Sequence, residues 1–206
     1  MDRQRKYPPA RTMTAVELGR KEKEKRADRY LNAAIGFLIL IFIGVGIYLW
    51  TKTEKFNVYT DSNYGFKIKY PQSWIKKAAE EGSVVSFVSP QEREADLFQE
   101  NVNITVQDLS AHPMILKEFT TLAIKQLTGM FNNVEILESQ SALLSNKVGH
   151  KIVYLAKVEY NLEIKIMQTW VISPPNAYIL TYSADNDHFA DYKATVDKMF
   201  NSFILK

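Results

Sequence analysis

The spacing of apolar positions changes character along the chain. From Leu31 to Trp50 the sequence runs LNAAIGFLILIFIGVGIYLW, 20 residues without a charge. At 1.5 Å of helical rise per residue such a run spans about 30 Å, the thickness of a bilayer's hydrocarbon core. Tyr30 stands at one border and Tyr48 and Trp50 at the other, where amphipathic rings favour the headgroup region. A core helix would be shorter or amphipathic, and Thr51-Lys52-Thr53-Glu54 offers no small-x-small cleavage site. The pattern predicts one uncleaved transmembrane helix bounded by Leu31 and Trp50.

After Lys55 the period falls to two. Phe66, Ile68 and Tyr70 alternate with Lys67 and Lys69, and Pro71 ends that strand. Val84 to Val88 forms a second strand, and Val102, Ile104 and Val106 alternate with Asn101, Asn103, Thr105 and Gln107 in a third. Gln91 to Gln99 reads as a long surface loop. Helical spacing follows over Ile115 to Met130, with Leu116, Phe119, Ala123, Leu127 and Met130 on one face. A short strand over Val134 to Glu138, a turn at Ser145-Asn146-Lys147, and long strands over His150 to Tyr160, Leu162 to Ile172 and the Tyr178-Leu180-Tyr182 stretch predict an antiparallel sheet. Asp185 or Asp187 offers an N-cap for a closing helix that presents Phe189, Tyr192, Val196, Met199 and Phe203. Strand runs interrupted by two helices give the α+β class, an antiparallel β-sheet flanked by helices and preceded by one transmembrane helix.

Charge adds an orientation. The 206 residues carry 26 Lys/Arg and 23 Asp/Glu, but residues 1–30 alone hold ten basic and five acidic groups. Seven Lys/Arg lie in residues 11–30 against four in residues 51–70, so the N-terminus is expected in the cytoplasm and the following domain outside. The organisation is then a basic cytoplasmic arm (1–30), the span (31–50), a short linker (51–55) and an extracytoplasmic domain (56–206) in a cell membrane. A basic excess confined to an arm beside an apolar run argues against nucleic acid as a partner. With no cysteine, disulfides, thiolate metal sites and thiol catalysis are excluded.

Tyr64-Gly65-Phe66-Lys67-Ile68-Lys69-Tyr70-Pro71 with Trp74 resembles the opening signature of the PsbP family, the extrinsic photosystem II proteins and their bacterial and archaeal relatives. Phe87 to Pro90, Glu100 to Leu109, Ala177 to Ala184 and Met199 to Phe203 resemble further family blocks in the same order. The resemblance implies the α/β/α sandwich shared with Mog-type Ran-binding proteins. It also gives Gly65, Phe66, Tyr70, Pro71 and Trp74 as structural signature positions. Photosystem II association is implied only for a photosynthetic host. The cyanobacterial members are lipoproteins, whereas this chain has no cysteine to lipidate and carries an apolar run instead.

Little chemistry is visible in the residues. His112, His150 and His188 lack metal-ligand spacing, and neither a phosphate-binding glycine loop nor a nucleophile elbow occurs. No catalytic, cofactor-binding or metal residue is assigned, and no enzyme activity is expected. Glu92, Glu94, Asp96 and Glu100 offer at most a weak surface site for a divalent cation such as calcium, and a solvated loop is the simpler reading. Trp170 shares a strand face with Ile164, Ile166 and Ile172 and belongs to the core, while Trp74 is expected to close the sheet edge. Two functions fit: a tethered accessory module docking on a membrane or envelope protein, or an extracytoplasmic sensor or carrier of a small ligand or ion. An apolar concavity with a few polar groups would favour the second.

Overall fold

The computed structural model describes residues 20, 38–43, 45, 54–78, 82–91, 98–130, 134–157 and 162–206. The chain divides into two units, residues 1–53 and 54–206. Most of the expected span lies outside the described residues. Its described part, residues 38–43 and 45, is helical and exposed. Among the described residues, no helix is long and apolar enough to cross a membrane.

Among the described residues, the second unit has ten strands and two helices. A three-stranded antiparallel sheet orders β1 (Phe56–Asp61), β2 (Phe66–Pro71) and β10 (Ile204–Leu205), with β2 in the middle. A seven-stranded antiparallel sheet runs β3 (Ile75–Ala78), β4 (Val85–Val88), β5 (Asn101–Asp108), β9 (Asn176–Asp185), β8 (Glu163–Ser173), β7 (Lys147–Lys157) and β6 (Val134–Leu144). The helices are α1 (Leu116–Met130) and α2 (Phe189–Asn201). The large sheet has a core on each face. On one face α2 and the small sheet bury Phe66, Ile68, Phe87, Ile104, Leu180, Tyr182, Val196 and Met199. On the other, α1 closes over Ile152, Tyr154, Ile164, Ile166, Trp170 and Ala177 through Phe119 and Leu127. One outer layer therefore holds a helix and the other a helix beside a small sheet.

The inward stripe of β2 follows its period of two: Phe66 and Ile68 are fully buried, and Tyr70 stacks on Phe87 at 4.5 Å. Ile152, Tyr154 and Ala156 share one face of β7, and Trp170 lies on the Ile164/Ile166 face of β8 as the alternation requires. The β6–β7 turn has two residues, Ser145 and Asn146, at φ 54° and 57°. Positive φ at both positions matches the right-handed twist of the flanking strands.

Several local expectations are corrected. The strand begun at Val134 runs on to Leu144, past a bulge between Ile136 and Glu138. Met130 shares the α1 face of Phe119, Ala123 and Leu127 but, as the last residue of the helix, is 77% exposed. Trp74, just before the edge strand β3, is buried on the α2 side, its ring 5.6 Å from that of Tyr192 and edge-on to it. Neither aspartate caps α2. His188 is the N-cap residue, with no side-chain capping bond. Asp185 is still in β9, and its carboxylate accepts the Asp187 N–H at 3.2 Å while its carbonyl accepts that of His188 at 3.1 Å, so it closes the turn that precedes the helix.

Candidate functional site

β5 is an internal strand with β4 on one side and β9 on the other, so its two faces meet different layers. Val102 and Ile104 are fully buried on the α2 face. The intervening Asn101, Asn103, Thr105 and Gln107 must emerge on the α1 face. Register extends this row across neighbouring strands. Ser86 of β4 stands opposite Asn103, Ser183 and Thr181 of β9 stand opposite Asn101 and Asn103, and Gln168 of β8 stands opposite Thr181.

The result is a floor of uncharged amides and hydroxyls across four strands, half-buried over most of its extent. Its members hold one another. Asn103 Nδ2 donates to Asn101 Oδ1 at 3.0 Å, Asn101 Nδ2 to the Gln99 carbonyl at 3.1 Å, and Gln168 Nε2 to Thr181 Oγ1 at 3.1 Å. Each primary amide has two N–H donors and an acceptor oxygen, so such contacts leave capacity for an incoming partner.

Helix α1 forms the wall of this floor. Trp170 Nε1 donates to Thr120 Oγ1 at 3.0 Å, and the Phe119 ring meets the Trp170 ring edge-on at 6.3 Å. Glu118 Oε2 accepts the Ile115 N–H at 3.1 Å, satisfying one of the donors that a helix start leaves open. Between α1 and the sheet lies a cleft of about 320 Å³ whose lining includes Gln107, Gln126, Met130, Tyr154, Gln168 and Ile179. Burial pushes the Tyr154 phenol up to about 12, so it stays protonated at neutral pH. Floor and cleft together supply neutral hydrogen bonds beside an apolar wall. That chemistry fits recognition of neutral polar groups, and none of these side chains is charged at neutral pH.

The other singled-out residues lie elsewhere. Gly65 turns the chain into β2 at φ +65°, a conformation that favours glycine. Phe66, Tyr70 and Trp74 join the α2-side core, and the buried Pro71 accepts the Trp74 N–H at 3.1 Å. These signature residues build the fold and stand apart from the neutral floor. His112 is in the loop after β5, and His188 precedes α2. His150 is half-buried in β7, 5.2 Å from the Trp170 ring and 2.9 Å from Ser139 Oγ, and burial lowers its pKa. Among the described residues, no three His, Asp or Glu side chains gather as metal ligands.

Glu92, Glu94 and Asp96 lie outside the described residues. Glu100 is buried and accepts the Ser89 hydroxyl at 2.8 Å, so it is withdrawn from solvent. Sequence reasoning recorded the alternation in β5 but missed the floor. The available signal was four polar residues alternating with buried valine and isoleucine: in a strand internal to a sheet, such a pattern marks a face left partly uncovered.

A PsbP family model matches residues 54–205, most of the chain and all but the last residue of the second unit. This chain belongs to the PsbP family. Among solved structures, cyanobacterial PsbP from Synechocystis sp. PCC 6803 superposes with a TM-score of 0.57 at 18% identity, covering 75% of this chain and 94% of that one. LpqN of Mycobacterium tuberculosis, involved in cell envelope biogenesis, gives 0.56 at 9% identity over 77% and 95%. The Saccharomyces cerevisiae Ran-binding protein Mog1p gives 0.52 at 9% identity over 74% and 96%. At these identities the likeness shows a shared PsbP/Mog fold of antiparallel sheets and helices. No curated protein matches the sequence.

Proposed function

We propose that this PsbP-family chain is a membrane-tethered, non-enzymatic docking module. Residues 31–50 span the bilayer, the N-terminal arm is cytoplasmic, and the domain engages a membrane or envelope protein on the extracytoplasmic side. The neutral floor of β4, β5, β9 and β8 is the docking surface, and its row of amides and hydroxyls is the observation that carries this reading. Such a row recognises backbone and neutral side-chain groups and provides neither nucleophile nor base for catalysis. The Ran-binding function of Mog1p and the envelope role of LpqN support use of this fold in protein interaction and at the cell envelope. Tethering raises the effective concentration for a membrane partner, which makes weak docking sufficient. In a photosynthetic host the partner would be photosystem II.

A second reading, a carrier of a small neutral ligand, is favoured by the cleft beside α1. One experiment separates the two. A photocrosslinking residue at Asn103 should capture one membrane or envelope protein in native membranes, while the same residue at exposed Lys198, on α2, should not. Asn103→Lys should suppress capture by a second crosslinker at Thr105 without lowering the melting temperature. Tight stoichiometric binding of a small molecule by calorimetry, with no capture, would replace docking by the carrier reading. An N-terminal tag accessible from outside intact cells would overturn the orientation.

A further inference from the structure

The second unit is electrically lopsided. Residues 54–206 contain fifteen Lys/Arg and eighteen Asp/Glu, yet segments 62–70, 139–150 and 198–206 contain Lys67, Lys69, Lys147, Lys198 and Lys206 and no acid. The remainder of the unit then holds ten basic against eighteen acidic groups. The fold brings these three segments together. Lys67 of β2 stands opposite Ile204 of β10, and the Lys206 N–H reaches the Gly65 carbonyl at 2.8 Å. The Leu205 N–H donates to Ser145 Oγ in the β6–β7 turn at 2.7 Å, and the Lys69 N–H to Ser202 Oγ at 2.8 Å. Asp61, at the end of β1, is buried and occupied by the Tyr59 hydroxyl and the Tyr64 N–H.

Large aliphatic side chains stand exposed among these lysines. Leu143 is 72% exposed and Ile204 45%, and both line one depression with Ser145 and Asn146. Val58, exposed on β1, pairs with Lys69 on the outward face of the small sheet. Exposed aliphatics interspersed with lysines match a lipid interface, where the apolar groups enter the headgroup boundary and the ammonium groups meet anionic lipids.

We propose that this end of the domain, formed by the outer face of the small sheet and the β6–β7 turn, lies against an anionic membrane surface. The inference rests on the single-span reading. Only residues 51–55 separate Trp50 from Phe56, and that linker reaches about 20 Å at most. A domain held so close must turn some face to the bilayer, and this end joins a basic excess free of acids to exposed aliphatics. The neutral floor belongs to the other face of the large sheet and stays free for a protein.

The native absence of cysteine permits single-site labels on the full chain. Leu143→Cys, Ile204→Cys and, as a control, Met130→Cys would each carry an environment-sensitive fluorophore, with the chain reconstituted in nanodiscs containing phosphatidylglycerol or phosphatidylcholine alone. The first two labels should shift blue and be quenched by brominated lipid in the anionic discs, and the control should do neither. Each of Lys67→Gln and Lys147→Gln should weaken this anionic preference about fivefold. Equal behaviour at all three sites, or labels shielded in native membranes by an acidic protein but never by lipid, would overturn the proposal. Alkaline extraction tests the span separately: release of the full chain would sink the single-span reading, whereas the quenching contrast reports on this end alone.

Discussion

Gly149 of β7 lies directly against the backbone of Trp170: a Cβ built on it would come within 2.2 Å of the Trp170 carbonyl oxygen. No side-chain rotation relieves a clash with backbone, so this position sets how closely β7 and β8 approach beneath α1. Gly149→Ala should therefore destabilise the domain by about 2 kcal/mol or more, read from chemical denaturation at unchanged m-value. A near-neutral result would mean that β7 and β8 can separate locally without loss.

The Thr120–Trp170 hydrogen bond joins α1 to the sheet at the wall of the neutral floor. Thr120→Val keeps the shape and removes the acceptor, leaving an indole N–H without its partner at a cost of about 1–3 kcal/mol. Hydrogen exchange should accelerate in α1 more than in α2, because only α1 loses an attachment. Uniform acceleration across both helices would instead point to global destabilisation.

Ile68 and Lys69 test the register of β2. Ile68 is fully buried, whereas Lys69 is exposed. Ile68→Asp should cost more than about 3 kcal/mol by placing a carboxylate in the apolar core, and Lys69→Gln should stay within about 0.5 kcal/mol. Similar thermal shifts for the two variants would contradict the period-two placement.

Stability should fall at both ends of the pH scale. The Tyr59 phenol is pushed up to about 12, first by burial and then by the Asp61 carboxylate to which it donates, and burial raises Tyr154 to about 12 as well. An unfolded tyrosine releases its proton near 10, so the unfolded state binds fewer protons above that pH and stability declines as pH rises from 10. His150 has the opposite sign. Its pKa is lowered by burial, so the unfolded state binds more protons and stability falls as pH drops below about 6.5. Melting temperatures from pH 4 to 11 check both limbs, and His150→Gln should flatten the acid one.

How legible each element was depended on how regularly it is buried. β2, β5 and α1 show clean periods because one face of each meets a continuous core, while β7 and β8 stand out as long apolar runs because cores lie on both of their faces. β3 has all four residues exposed, and β10 has only two residues, so neither leaves a hydrophobic pattern. In β6 the bulge between Ile136 and Glu138 changes which side chains share a face, and the following Ser139, Gln140 and Ser141 are exposed, which hides the strand beyond Glu138. The α2 cap was misplaced because sequence cannot say that Asp185 is still extended within β9. The polar half of β5 was plain, but its meaning depended on β4 and β9 flanking it, a fact of long-range pairing that local spacing does not encode.

Lys67 and Ile204 pair across 137 residues of sequence, so the small sheet closes only after nearly all of the domain has been synthesised. Loop-closure entropy falls most heavily on such distant pairings, which makes them late events in folding. A domain crossing a membrane from β1 onward, as the proposed single span requires, would have β2 paired with β1 alone until β10 emerged. Phe66 and Ile68 would be imperfectly covered throughout that interval, a window in which a chaperone or a protease could act on the nascent domain before its native form exists.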